Sequence, residues 1–297
     1  MPASRPAKTA FHPLLPLLLF LLASCAVREV TPAPPVQSRK TAKVALALGA
    51  GTAKGFAHVG VLKVLEANRI PVHMIVGTSV GSLVGCMYAY GYPVYEIQKM
   101  AMSLERSDVV DLTVPDNGFV KGEKLESYVN RMVRNTPMEQ FRIPFFAVAT
   151  DIRTGRETLF DKGNTGAAVR ASCSVPGIFQ PMKIGGHTYV DGGLVSPVAV
   201  DAARRMGADV VIAVDISGDV DGTVPAGTLD TIFQSVNIMY AKIAADQNSR
   251  ADIVIRPEVG YIPAGDFTKR HEAILEGEKA AQAAVPKIQA VLGAMSR

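Results

Sequence analysis

A serine between two glycines, Gly77-Thr78-Ser79-Val80-Gly81, stands where an apolar run ends and an apolar helical pattern begins. Met74-Ile75-Val76 reads as a short buried strand, and Val80, Leu83, Val84 and Met87 recur at helical spacing. A strand that turns at once into a helix forces the residue at the turn into sparsely populated backbone space. Glycines on either side remove the side chains that would collide there. The serine hydroxyl is then left exposed at the edge of a sheet, at a helix N-terminus whose dipole favours developing negative charge. The bland alternative is Ser79 as a helix N-cap with its glycines there for packing.

Strand-then-helix alternation runs through the rest of the chain, and it predicts an α/β fold, a three-layer α/β/α sandwich around a mainly parallel central sheet. Strands are expected at Lys43 to Leu48, Met74 to Gly77, Phe145 to Asp151, Val210 to Ile216 and Asp252 to Arg256. Helices are expected at Gly55 to Asn68, Val80 to Tyr90, Val94 to Arg106, Lys121 to Arg134, Pro197 to Met206, Leu229 to Asp246 and Phe267 to Ala284. Gly185-Gly186 fits a two-residue hairpin turn, and Asp108 to Gly118 and Gly218 to Gly227 read as polar loops. One domain over residues 41–293 accommodates these elements.

Composition excludes several classes. With 31 Lys+Arg against 27 Asp+Glu and no basic cluster, the chain lacks the footprint of a nucleic-acid binder. Three cysteines and no C-x-x-C pair argue against a disulfide scaffold or a structural zinc site, so no metal and no cofactor are expected. Cys86 and Cys173 are expected as single buried thiols.

Two more glycine motifs bear on the serine. Gly49-Ala50-Gly51-Thr52-Ala53-Lys54-Gly55 follows the first strand and opens the first helix, a place where main-chain N–H groups converge on an anion. That anion is either a pyrophosphate, as in dinucleotide folds, or the oxyanion of an acyl-transfer intermediate. Lys54 stands where a dinucleotide site usually has glycine, and no acidic residue ends the next strand. Asp191-Gly192-Gly193 follows a hairpin strand, where a carboxylate either closes a surface turn or is aimed inward.

Activation of Ser79 needs a base. Of His12, His58, His73, His187 and His271, the order serine, acid, histidine admits only Ser79, Asp191 and His271, and His271 sits among Lys269, Arg270 and Glu272 on a charged helix. A Ser-His-Asp esterase therefore stays an alternative here.

The glycine loop, the G-x-S-x-G, the block Ala171-Ser172-Cys173-Ser174-Val175-Pro176-Gly177-Ile178-Phe179 and Asp191-Gly192-Gly193 together resemble a bacterial patatin-like phospholipase. The resemblance runs from about Lys43 through Asp215, with a weaker echo from Phe267. It implies a Ser79–Asp191 dyad without histidine, an oxyanion hole from the N–H groups of Gly51, Thr52 and Ala53, Lys54 fixing the loop in place of the family's usual arginine, and Gly77, Gly81, Gly192 and Gly193 as motif glycines. It also implies fatty-acyl esters of phospholipids or lysophospholipids as substrate. A carboxylate is a poor base at neutral pH, so Asp191 is expected in a largely apolar pocket. Ala50 and Thr52 stand where many members have glycine, and a β-branched residue tolerates positive φ badly, so either the loop places Thr52 in ordinary backbone space, as expected, or the oxyanion hole is distorted. A catalytically idle lipid-binding or scaffold protein of the same fold is the rival that these departures leave open.

The N-terminus carries an address. Arg5 and Lys8 precede the apolar run Leu14 to Leu22, the form of a secretory signal over residues 1–24. Leu22-Ala23-Ser24-Cys25 resembles the bacterial lipobox, which implies lipidation at Cys25, with residues 25–40 as lipidated cysteine and Pro/Ala-rich tether. The expected location is the bacterial cell envelope, anchored in a membrane, with Ala26 favouring the outer membrane facing the periplasm. Oligomeric state leaves no trace in the sequence.

Overall fold

A computed structural model describes residues 42–114, 117–218 and 224–295. The expected signal peptide, Cys25 and the tether, together with residues 219–223 of the expected polar loop, lie outside the described residues.

The sheet is built from β1 (Val44–Leu48), β2 (Met74–Thr78), β3 (Phe145–Asp151), β4 (Arg156–Phe160), β5 (Met182–Ile184), β6 (His187–Asp191), β7 (Val210–Val214) and β8 (Ile253–Ile255). Its order is β5-β6-β3-β2-β1-β7-β8, with β4 pairing β3 off this path. The pairs β1–β2, β1–β7, β2–β3 and β7–β8 are parallel, whereas β4, β5 and β6 join antiparallel.

β1, Val-Ala-Leu-Ala-Leu, is buried throughout, which is why it reads as a continuous apolar run. Side chains alternate across a pleat. Val44, Leu46 and Leu48 face one core with α1 (Phe56–Ala67), α2 (Val80–Tyr90) and the C-terminal α9 (Arg270–Met295). Ala45 and Ala47 face a second core with α7 (Val200–Arg205) and Ala244 of α8 (Thr228–Asn248). Large residues on one face and small ones on the other give the three layers that the alternation predicts.

Shorter helices complete the molecule: α3 (Val94–Ser103), α4 (Arg106–Val109), α5 (Glu123–Met132) and α6 (Thr165–Ser172). The expected helix at Val94 to Arg106 thus ends at Ser103, and α4 reaches into the segment read as a polar loop, where Leu112 also bridges Val120. α9 runs past Ala284 to Met295 with Pro286 inside it. Cys86 and Cys173 are free and buried.

The sheet pairing brings two distant residues together. β4 occupies one edge of β3 along Ala147–Asp151, so the other edge must be shared. β2 pairs it as far as Thr78 opposite Val148, and β6 takes over with Asp191 opposite Ala149. The chain leaves β2 at Ser79 just where β6 arrives with Asp191.

Candidate active site

Ser79 is 4% exposed and adopts φ 55°, ψ −126°, a strained conformation for a non-glycine residue. It holds the N-cap position of α2, yet its side chain makes no capping hydrogen bond, so the N-cap alternative does not describe it. Its main-chain oxygen accepts from Ser82 N at 2.8 Å and closes the first turn. A Cβ at Gly81 would collide with the Leu48 carbonyl oxygen, and one at Gly77 would lie 2.5 Å from Ser82 Cα. Both glycines are required by close approach of neighbouring backbone.

Asp191 is completely buried. Its two oxygens have different fates. Oδ1 accepts from Gly193 N at 2.7 Å and caps the 3-10 turn Gly192–Leu194, so the turn-closing reading holds for that atom. Oδ2 is buried with no hydrogen-bond partner. Burial pushes the carboxyl up to about 6, opposed by the nearby Ser79 hydroxyl, the Gly193 N–H and the Tyr240 hydroxyl. Ser79 and Tyr240 are thus close enough to favour the carboxylate, although neither hydroxyl closes a well-aligned bond to it. Loose contacts of this kind tighten when substrate arrives. The two glycines after Asp191 serve packing: at Gly192 a side chain would strike the Val148 carbonyl oxygen, and at Gly193 the Tyr240 ring.

The C-terminus of α6 holds both partners. Ser172 Oγ accepts from Ser79 N at 2.9 Å, and Ser174 O accepts from Asp191 N at 2.8 Å. Between them the Cys173 thiol is pushed up, first by burial and then by the Asp191 charge, which keeps it protonated and inert.

The glycine loop leaves β1 beside this pair. Gly49 N donates to Val214 O at 3.0 Å and Ala50 N to Pro197 O at 2.9 Å. His58, fully buried, hydrogen-bonds through Nε2 to Gly49 O at 2.8 Å, and burial lowers its pKa to about 4, so the ring is neutral and donates there. Lys54, also buried, donates through Nζ to Ser217 O at 2.9 Å and ties the loop to the exit of β7. Asp215 supports that exit by accepting from Ser217 N and Oγ at 3.0 and 2.6 Å.

The loop departs from one expectation. Thr52 adopts φ 53°, not ordinary backbone space; its Oγ1 donates to Gly51 O at 2.7 Å, a local bond that helps hold the left-handed turn. Of the three expected oxyanion donors, the N–H groups of Gly51 and Thr52 meet no acceptor among the described residues, whereas Ala53 N donates to Ala264 O at 3.1 Å. The Lys54 N–H closes onto Gly51 O at 3.1 Å.

Thr52, Ala53 and Ser79 line one cavity of about 170 Å³, whose walls include Leu125, Phe179 and Phe267. An apolar extension of about 80 Å³ continues past Val80 and Leu83 toward Met87 and Ile97. On the other side, sharing Arg106 and Phe233, a more polar hollow of about 490 Å³ is lined by Lys54, Asp230 and Asn237.

Among the described residues no histidine hydrogen-bonds to Ser79 or Asp191. His73 Nδ1 accepts from Val44 N, His187 pairs with Asp151 at 2.7 Å, and His271 is exposed on α9. Nor do three or more His, Cys, Asp or Glu side chains converge as metal ligands among the described residues.

Residues 46–204, more than half of the chain, match the family model described as patatin-like phospholipase. The chain belongs to the patatin-like phospholipase family. It is 33% identical over 227 residues to an uncharacterised NTE family protein of Mycobacterium tuberculosis, covering 72% of this chain and 63% of that protein. It is 35% identical over 196 residues to lysophospholipase NTE1 of Scheffersomyces stipitis, covering 64% of this chain and 12% of that one. The chain therefore spans less than two thirds of these relatives' length. Among solved structures, VipD from Legionella pneumophila superposes with TM-score 0.60 at 12% identity over 83% of this chain and 67% of that chain, a likeness of fold.

The patatin-like match contains the glycine loop, Ser79 and Asp191, but ends before α8 and Ala264. Those two contributors to the site carry no sequence signal: Tyr240 occupies a periodic apolar position of α8, and Ala264 acts through its carbonyl. Ser172 and Ser174 fall inside a block that the sequence marks without assigning their contacts.

Proposed function

We propose that this chain is a serine acyl hydrolase that cleaves fatty-acyl esters of phospholipids or lysophospholipids through Ser79 and Asp191. The observation that carries the reading is Asp191 Oδ2: a buried, unpartnered carboxylate oxygen at the strand edge where the strained Ser79 turns into α2. Family membership and the relative described as a lysophospholipase support a lipid ester as substrate. So does the adjacency of an apolar cavity at Ser79, suited to an acyl chain, and a polar hollow at Lys54 and Arg106, suited to a head group.

In this reading Ser79 Oγ attacks the ester carbonyl carbon while its proton passes to Asp191. The Gly51 and Thr52 N–H groups receive the oxyanion. Ala53 joins them once its bond to Ala264 O opens. Collapse of the tetrahedral species expels the alcohol, which leaves with the proton from Asp191. Water then attacks the acyl-serine while Asp191 takes a proton from it; the second tetrahedral species collapses, Asp191 returns that proton to Ser79 Oγ, and the fatty acid departs. A carboxylate poised near 6 suits both directions of transfer. The lipobox-like Leu22-Ala23-Ser24-Cys25 supports a lipid anchor in the bacterial envelope that holds the site near an insoluble substrate.

The idle lipid-binding rival gains its support from the engaged Ala53 donor and the strained Thr52. Incubation with mixed phospholipids and lysophospholipids, followed by mass spectrometry of the products, separates the two. The hydrolase releases free fatty acid and Ser79→Ala does not; intact lipids with the folded wild type overturn the proposal.

A further inference from the structure

α8 buries one face, with Val236, Tyr240, Ala244 and Gln247 at spacings of three and four. Tyr240, 2% exposed, lies against Gly193. Its Oη is 2.6 Å from where a Gly193 Cβ would stand, and Gly193 N is the donor to Asp191 Oδ1. The phenol hydroxyl therefore sits beside the Asp191 carboxylate.

Five buried side-chain polar atoms among the described residues lack a hydrogen-bond partner, and two of them, Tyr240 Oη and Asp191 Oδ2, meet at this spot. One is a donor and the other an acceptor with two lone pairs. Leaving either unmade in the interior is unfavourable, and a phenylalanine at position 240 would fill the same space without that penalty.

We propose that Tyr240 is a third, positioning residue of the site: its hydroxyl donates to Asp191 Oδ2, fixes the carboxylate toward Ser79 and sets its basicity. The proposal rests on the Ser79–Asp191 reading above. One lone pair of Oδ2 takes the Tyr240 hydroxyl and the other remains for the Ser79 proton. Tyr240 keeps its own proton throughout: burial, and then the Asp191 charge, raise the phenol well above its ordinary range.

The groups that act on Asp191 are the Tyr240 hydroxyl from α8, the Ser79 hydroxyl at the elbow, the Gly193 N–H and, from the end of α6, the Cys173 thiol. No lysine, arginine or histidine is among them. Tyr240 favours the ionised form of Asp191, so its removal raises the carboxyl's affinity for protons.

The test is kcat/KM against pH for a soluble p-nitrophenyl ester, with wild type, Tyr240→Phe, and a chain carrying 3,5-difluorotyrosine at position 240, whose more acidic phenol donates more strongly. Wild type should lose activity as pH falls through about 6. In Tyr240→Phe that acid limb should move up by roughly one pH unit, the effect of one charge-assisted hydrogen bond. In the difluorotyrosine protein it should move down. Opposite shifts in variants that remain folded support the assignment. An unmoved limb in the folded variants, or a loss of rate equal at every pH, overturns it and leaves the Ser79–Asp191 reading standing. Wild-type hydrolysis that survives Ser79→Ala overturns both. Should Tyr240→Phe not fold, the direction of the difluorotyrosine limb decides alone.

Discussion

Replacing Asp191 with asparagine should make the protein more stable and inactive, with a gain that depends on pH in a defined sense. Burial raises the folded-state pKa of Asp191 from 3.8 to about 6. Between those values the folded state binds more protons than the unfolded state, so stability falls as pH rises through the window. The gap of about 2 units corresponds to about 3 kcal/mol, carried in full above pH 6 and absent well below 4. Asparagine retains an acceptor for Gly193 N and removes the charge. At 2 to 4 °C per kcal/mol for a domain of this size, Asp191→Asn should melt roughly 6 to 12 °C higher at pH 8, and the difference should shrink to a fraction of that at pH 4.

His58 works in the opposite direction. Burial lowers its pKa from 6.5 to about 4, so its contribution is present above pH 6.5 and is lost as pH falls, again about 3 kcal/mol. The two slopes offset each other in the wild type. Thermal melts of both proteins across pH 4 to 8 read the difference directly, and in the variant the acid loss from His58 should stand exposed. An Asp191→Asn protein less stable than wild type at pH 8, or one whose advantage is the same at pH 4, would refute a buried, charge-destabilised Asp191.

Three further outcomes follow from the geometry. Gly81→Ala sets a methyl group against the Leu48 carbonyl oxygen and should lower the unfolding free energy by about 3 kcal/mol in denaturant titrations, with loss of activity. Lys54→Met removes the bond to Ser217 O that anchors the glycine loop; kcat should fall about tenfold with KM little changed, as a loosened oxyanion hole requires. His271→Ala, on the exposed surface of α9, should leave kcat/KM within about twofold of wild type, whereas a Ser-His-Asp triad demands its loss.

The layered fold was legible because its strands are unusually apolar and its helices periodic: α2 begins and ends where the pattern of Val80 to Tyr90 does. What escaped has physical reasons. β4, Arg-Glu-Thr-Leu-Phe, is partly exposed along its length and carries too little apolar alternation to declare itself. α6, Thr-Gly-Ala-Ala-Val-Arg-Ala-Ser, is made of small residues whose value lies in close packing, and it begins at the Asn164 cap. Ser79 and Asp191 could be named from local glycine patterns, since each motif is constrained by its own backbone. Their meeting at Val148 and Ala149 of β3 depends on which strand takes which edge, and that is a long-range property. The same holds for Tyr240, some fifty residues beyond the carboxylate it faces, and for the Ala264 carbonyl that occupies the Ala53 donor.

The most direct measurement is the rate of covalent modification by a fluorophosphonate as a function of pH, with the adduct mapped by peptide mass spectrometry. A nucleophilic Ser79 activated by Asp191 predicts an adduct on Ser79, formed faster as pH rises through about 6, and almost none in Asp191→Asn. An adduct elsewhere, or labelling of Ser79 that is indifferent to Asp191, would contradict it.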